Sequence, residues 1–543
     1  MNAFAYQFTP AERPALPGSP YTPTHPLWRR FVYVGVAFMS ATTATLGNAL
    51  VSTNGASIAG SIGEYAAAVA VLPALFVAMN ATGNLTIVKA RIEWGIPVIT
   101  GGALSLYAFV AFLQLIFPNF ALALCVRATS GLCASALITV TTYYLFQVFP
   151  PKLRPAALVA GLGLTQIGIP LARLFPVEAL AQHRWQNLHL IELALPLAML
   201  AVMKLFPLPP TDRSKAFEPV DFLTIAMIVP AMVLICVVLS TGRVYWWTDT
   251  PWLGWMLAAA VPLLTIAVLV ETNRERPLLY MQWISSGVIL RFAGAALFLR
   301  IALAEQTFGS VGLLGADGLN NEQLRTLFVI VFCAMLIGIA TAVLTLNPKW
   351  LRQQGIAAAL CIGLGAWLDS QGTNLTRPHE LYLSQALLGF GATLFIGPTM
   401  AFGFGQMMRR GASYFVTLVV LFSTTQNVGS LVGSAILGTY QTAATRAHAL
   451  ALAEHLTVAD PQVVDRIQTG ARLLGGSALD PRSQFLQGSA LLAQAQAREA
   501  TVLAFNDVFG FVALLALGTA SFVLYFVLRD LWREHRRVAR VVA

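Results

Sequence analysis

The chain has 543 residues, of which 57% are hydrophobic and 11% charged, with a formal net charge of +10. At a mean hydropathy of +0.70 it carries more apolar surface than a water-soluble fold can bury, which excludes a soluble enzyme or a nucleic-acid-binding domain as the source of the basic charge. In hydrocarbon every backbone polar group needs an internal partner, so long unbroken apolar runs predict helices, whereas a barrel would show alternating strands of ~10 residues.

Taken in chain order, residues 1–30 are Pro-rich (PAERPALPGSPYTPTHP), lack an apolar signal segment and read as a flexible cytoplasmic leader. Spans are expected near 31–51, 65–85, 96–116, 121–148, 156–177, 186–206, 222–241, 252–270, 287–314, 326–346, 356–368, 381–406, 414–440 and 503–528. The chain therefore reads as an all-α polytopic membrane protein with about 14 transmembrane helices. Lys and Arg gather on one side of it. Arg29, Arg30, Lys89, Arg91, Lys152, Arg154, Arg274, Arg276, Lys349, Arg352, Arg409, Arg410 and the basic tail 529–543 stand against Arg184, Arg243, Arg325 and Arg377 in the short loops opposite. The positive-inside rule then puts both termini in the cytoplasm. The longest outer loop, 441–502, holds two amphipathic stretches (ATRAHALALAEHL and QGSALLAQAQAREATVLAF) around a turn at LGGSALDPRS. They predict two periplasmic helices, either a docking surface or a hairpin packed on its own protein. The 5 cysteines fall in spans without CxxC spacing, so neither a metal site nor a disulfide framework is expected.

Ionisable groups inside a membrane are functional candidates by default. No Asp falls within a predicted span; Glu192 and Glu305 do, and Glu64 sits at the outer lip of the second. These acids are the candidates for carrying a proton. The deep bases are Arg127, Arg173 and Arg300, while Arg291 lies near a helix end from which it can snorkel. Arg300 and Glu305 are separated by ~140° and ~7.5 Å along a helix, so they are not face-aligned, and Arg300 should face a cavity or another partner. A guanidinium fork suits a carboxylate or phosphate, which favours a small, anionic, amphipathic substrate. Thr165, Gln166, Tyr143, Tyr144, Gln426 and Asn427 offer hydrogen bonds within lipid, either to substrate or between helices. Glycines at 161, 163 and 168 and at 429, 433 and 438 suit close helix approach. There is no HExxH, no GxSxG and no Gly-rich phosphate loop, and the 7 histidines are scattered, so no enzyme activity and no cofactor is expected.

Several segments in order resemble a known family. FQVFPPKLRPAAL (146–158), Arg127-Ala-Thr-Ser-Gly131, Pro219-Val220-Asp221-Phe222, the Trp-rich TGRVYWWTDTPW, ETNRERPLLY, QNVGSLVGSAILGTYQ (426–441) and VLAFNDVF (502–509) resemble EmrB-like 14-span drug:proton antiporters of the major facilitator superfamily. The resemblance implies a major facilitator fold: six-helix bundles over 31–206 and 286–528, with two extra central helices in 207–285. It also implies proton-coupled efflux of drugs or of organic, aromatic or fatty acids across a bacterial inner membrane. A periplasmic membrane-fusion adaptor and an outer-membrane channel are its implied partners. The departures are specific. The loop after the second span, Gly83 to Arg91, lacks the family's Asp, and the fifth-span motif is reduced to Gly168 and Pro170 with Arg173 beside them. ATTATLGNAL (41–50) replaces the usual acid of the first span. With that acid missing, uptake, or a transport-dead sensory or structural protein on the same scaffold, stays open beside efflux.

Overall fold

The computed structural model describes residues 9, 12–14, 18–150, 153–175, 186–474 and 480–542. Lys152, Arg184 and most of the turn in the long outer loop lie outside them. Apart from one isolated bridge between Pro20 and Thr211, the regular structure among the described residues is helical.

The first bundle contains α1 (Leu27–Thr53), α2 (Val71–Trp94), α3 (Ile96–Ile116), α4 (Phe120–Phe146), α5 (Arg154–Arg173) and α6 (Gln186–Leu205). Local chemistry sets the ends. Gly95, at φ 89°, makes the tight link from α2 to α3, and the Asn119 side chain accepts from the Leu122 amide at 2.8 Å to cap α4. Then come α7 (Pro219–Tyr245) and α8 (Pro251–Thr272), each opened by a proline whose missing N–H costs nothing in a first turn. The second bundle contains α9 (Gly287–Ala316), α10 (Arg325–Leu344), α11 (Leu351–Asp369), α12 (Tyr382–Met408), α13 (Phe415–Glu454) and, after the short α14 (Pro461–Leu474), α15 (Pro481–Val542).

Of these, 13 are long and apolar enough to cross a membrane, and α11 adds the fourteenth. Its 19 residues are less apolar because it packs between α12 and α15. The chain after α10 and the chain after α12 both reach the mouth of one cavity, through Lys349 and Arg409, so α11 must carry it across in between. Both bundles close on α2 against α13 and on α5 against α10 and α12. Gly163 permits the second seam, since a Cβ there would come within 2.6 Å of Ile339. Gly433, by contrast, brings α13 onto Ala304 of α9 within one bundle.

The extra pair touches both bundles through α7. Helix α7 lies against α2 and α13 on the outside of their seam, and α8 lies against α7. Buried charge pins this pair on the face that carries the termini. Asp221 meets Lys89 of α2 at 2.6 Å, and Arg274 reaches Glu218, Asp221 and Glu271 at 2.9, 2.9 and 2.8 Å. Burial alone would lower the pKa of Arg274, but hydrogen bonds to the three carboxylates outweigh it and raise the value.

The long outer loop is not a separate hairpin. Helix α13 runs 40 residues without a break, ~60 Å at the α-helical rise and about twice the hydrocarbon thickness. Its outer third and the first third of α15 are the two stretches read as separate helices, and α14 packs on α15 through Val463, Ile467 and Ala471. On the opposite face, residues 18–26 of the leader are ordered: Tyr21 pairs with Asp212, and its carbonyl accepts from Gln147 at 3.0 Å.

Removing Arg274 leaves Glu271 buried without a cation, a loss of about 3 kcal/mol or more. Arg274→Ala should lose its monodisperse fraction at a lower temperature than wild type in a detergent heating series. Pairing it with Glu271→Gln should cost less than the sum of the two; full additivity would refute the network.

Candidate functional site

A central cavity of about 1490 Å³ lies between the bundles. Arg154, Lys349, Arg352 and Arg409 ring its mouth on the face of the termini. Deeper walls carry Asn48, Asn80, Gln426 and Asn427 beside Phe76, Phe308 and Phe422, which gives polar groups against an apolar, aromatic lining. At the far end, among the described residues, a polar crossing joins the two bundles. The Arg173 guanidinium donates to the Asn321 side chain and covers the Phe328 ring at 5.5 Å, and Asn321 in turn reaches Asn54 at 3.5 Å. Among the described residues this crossing stands between the cavity and the far side.

Its electrostatics are one-sided too. Asp530 is the sole acidic residue of the lining, at the mouth, among the described residues. Arg173, Arg243 and Arg300 lie in the deep walls, and no carboxylate of the described residues is within ion-pair distance of them. Arg300 Nε donates to the Gln426 carbonyl at 3.0 Å, and Arg243 covers Phe308 at 4.9 Å, so their remaining N–H groups are left for solvent or a ligand. The Gln426 amide is buried with neither its nitrogen nor its oxygen bonded.

Arg243 was expected in an outer loop. The apolar run ends near Ser240, but the α7 backbone continues to Tyr245 and carries Arg243 onto the cavity wall. Arg127 takes the opposite correction. It does not line the cavity but sits inside the first bundle, ion-paired with Glu192, each 2% exposed. His189 stands 3.8 Å from the same carboxylate. Glu192 is therefore dry and paired, and the surplus deep positive charge comes from Arg173, Arg243 and Arg300.

Glu305 likewise does not line the cavity. It is fully buried in the second bundle, where Gln385 Nε2 donates to its carboxylate at 3.1 Å and to Asp369 at 2.6 Å. Asp369 overturns the expectation that no Asp lies within a span. The predicted segment stopped one residue short of it, at the polar GAWLDSQG, while α11 takes it in as its last residue and buries it completely. Among the described residues no cation is paired with either acid. Glu305 also opens a π-helical turn, Glu305–Gly309, a feature frequent at functional sites, which shifts the register of α9. Arg300 consequently faces the cavity while Glu305 faces α11 and α12.

Of the polar candidates, Tyr143, Thr165, Gln166, Gln426 and Asn427 line the cavity. Thr165 and Gln166 do so where α5 breaks into a turn, and irregular backbone at membrane depth is tolerated beside such a space. Tyr144 faces the packed interior and donates to the Phe206 carbonyl at 2.9 Å. Tyr143 is covered by Arg91, itself only 3% exposed and set between Tyr143 and Phe415. Glu64 is half-buried in the link between α1 and α2 and is not part of the cavity wall. Among the described residues no group of three metal-ligating side chains is found.

No family model and no curated protein matches the chain. Among solved structures it is similar to the crystal structure of the human organic anion transporter MFSD10 (TETRAN), with a TM-score of 0.50 and 12% identity, over 90% of this chain and 99% of that one. The likeness covers most of the chain, and the chain has the major facilitator fold.

Glu192→Ala strands the Arg127 guanidinium in the first bundle at a cost of about 3–5 kcal/mol. Heating in detergent should show that variant, or Arg127→Ala, losing intact protein well before wild type. The double variant Arg127→Leu/Glu192→Leu should recover much of the loss. A double variant as unstable as both singles combined would show that the pair is not the interaction at stake.

Proposed function

We propose that the chain is a secondary transporter that exports amphipathic organic anions in exchange for protons. The observation that carries this reading is the central cavity with Arg173, Arg243 and Arg300 in its deep walls and no carboxylate among the described residues to neutralise them. An unpaired guanidinium at membrane depth is costly, so it marks a hydrated path or a site for an anion. The aromatic walls suit the apolar part of such a molecule, and the unbonded Gln426 amide offers a further donor and acceptor. The solved neighbour is described as an organic anion transporter, but at 12% identity it supplies the fold; the preference for anions rests on the arginines of this cavity.

Alternating access needs the far closure to open as the mouth closes. The crossing from Arg173 to Asn321 is polar and narrow, and an anion competing for Arg173 would weaken it. Proton coupling falls to Glu305 and Asp369. Two buried carboxyl groups that share one amide donor, with no cation between them, form a site suited to holding a proton in common. Asp369 ends α11 on the side away from the termini, where a proton would enter during export. Glu305 lies on the same helix as Arg300 and Phe308, so a change at the acid reaches the cavity wall through α9. The Lys and Arg at the mouth favour the cytoplasm for that face, and the resemblances in the sequence favour a bacterial inner membrane.

The test is proton release from acidified everted vesicles on adding aromatic or medium-chain carboxylates. Arg300→Gln should raise the half-saturating concentration about tenfold or more, the worth of a charge-assisted contact. Glu305→Gln and Asp369→Asn should abolish the proton signal while leaving exchange of labelled for unlabelled carboxylate intact. Proton signals unchanged in both acid variants would sink the coupling site. A response to lipophilic cations in place of acids would sink the substrate class, and accumulation driven in the other direction would make the chain an uptake carrier.

A cysteine pair tests the closure itself. Asn54→Cys/Asn321→Cys should cross-link in the substrate-free protein, stop transport and regain it on reduction. Transport that continues with the link in place would mean that this end does not open.

A further inference from the structure

A second pocket, of about 310 Å³, lies inside the second bundle between α9, α11, α12 and α15, on the half nearer the termini. That volume is at the lower end for ligand sites, ~300–1,000 Å³. Small residues make the room: Gly355 and Ala359 of α11 and Ala295 and Ala296 of α9 face Phe395 and Phe402 of α12. Its floor is apolar. The walls include Val288 and Phe522, which are 44% and 43% exposed on the outside of the bundle, so the pocket communicates with the lipid.

The charge stands at the mouth. Arg291 and Arg529 both lie over the ring of Phe526, at 4.6 and 4.5 Å, and Arg352 lies 5.9 Å from the ring of Phe402. One acid serves them: Asp530 meets Arg352 at 2.7 Å and Arg529 at 3.5 Å. Arg291 has no carboxylate partner among the described residues; its Nε donates to the carbonyl of Gly287 one turn back. Arg529 Nε is buried with no partner. An arginine that merely snorkels extends toward water. Here two turn back over the same aromatic ring and roof an apolar space at the level where α9 begins and α15 leaves the membrane.

We infer that this pocket binds a single apolar chain headed by an anion, with the chain among Phe395, Phe522 and Leu299 and the head between Arg291 and Arg529. Apolar space open to a bilayer fills with hydrocarbon, and two guanidinium groups sharing one carboxylate between them and Arg352 leave net positive charge for a carboxylate or phosphate. A bilayer phospholipid and a free amphipathic acid share that chemistry. The pocket also shares Leu351, Arg352, Phe402 and Asp530 with the central cavity, so its occupant lies one side-chain layer from it. The site is a matter of binding and stands whether or not transport is coupled to protons.

The experiment uses the full chain in neutral phosphatidylcholine nanodiscs and nitroxide-labelled laurate, with the motionally restricted fraction read by electron paramagnetic resonance. Wild type should bind it saturably. Arg291→Gln/Arg529→Gln should weaken binding about tenfold or more, and the Lys/Lys counterpart should keep most of it. Nitroxide-labelled lauryl alcohol should bind about tenfold more weakly than the acid. Ala359→Leu, which fills the floor, should weaken binding, whereas Arg300→Gln in the central cavity should leave it unchanged. Displacement by phosphatidylglycerol assigns the pocket to membrane lipid, and displacement by unlabelled laurate alone assigns it to the free acid; both support the site. Equal binding by the Gln/Gln variant, equal binding of the neutral alcohol, or loss of the signal in Arg300→Gln would each overturn it.

Discussion

A charge inside hydrocarbon has to be paired, hydrogen-bonded or wetted, and at ~2.5–3.5 kcal/mol or more per unmet group this requirement orders the whole molecule. It explains why Arg127 and Glu192 meet in the first bundle and why Lys89, Asp221, Glu271 and Arg274 gather where α2, α7 and α8 reach the face of the termini. It also gives the central cavity a physical reason. Among the described residues Arg173, Arg243 and Arg300 have no acids beside them, so the N–H groups that Asn321 and the Gln426 carbonyl do not take are left to water or an anion in that space.

The bundles answer the requirement differently. In the first, opposite charges cancel, and the pair ties α4 to α6 whatever the state of the cavity. In the second, two acids share one glutamine and, among the described residues, no base, so on the proposed reading the site changes net charge when it takes a proton. On the proposed reading this asymmetry divides the labour, with one rigid bundle and one that responds to protons. The seams between them suit such a division. Helices α2 and α13 meet through Leu85, Val88, Val416 and Val420, and α5 meets α10 through Gly163, surfaces that can rock without breaking a buried charge.

How much of this was legible in the sequence follows the range of each interaction. Spans are set by contiguous composition, so the helices were readable, α11 included. Helix ends were less so. Composition turns polar at Asp369 and Arg243, but backbone hydrogen bonding carries α11 as far as the first and α7 past the second, and those ends hold the buried acid and the cavity arginine. Partners were beyond reach. Arg127 and Glu192 lie 65 residues apart, and Gln385 lies 80 residues from Glu305, with no pattern to connect them. Tyr143 and Tyr144 make the limit plain: neighbours on a helix point ~100° apart, so one faces the cavity and the other the packed interior, and only the fold says which. The outer loop failed for a related reason. No stop signal separates the span of α13 from its extension, and a helix without a stop continues.

The contacts between the bundles are graded in strength, and the grading bears on which of them can open. Along α2–α13 the interface is apolar and long, with Asn80 and Asn427 bonded within it at 3.1 Å. At the far end the closure among the described residues is two hydrogen bonds, one donated by Arg173 to Asn321 and one by Asn321 to Asn54, worth about 1.5–3 and 0.5–1.5 kcal/mol net, since water replaces what is lost. Separating the bundles there costs little and hydrates a guanidinium; separating them along the seams would expose packed apolar surface and strand Asn80. On the proposed reading, motion is therefore directed into rocking about the seams. The arginine that holds the far closure belongs to the same set that gives the cavity its positive charge. On that reading an anion that reaches Arg173 is drawn by the charge of the site and loosens the contact that confines it.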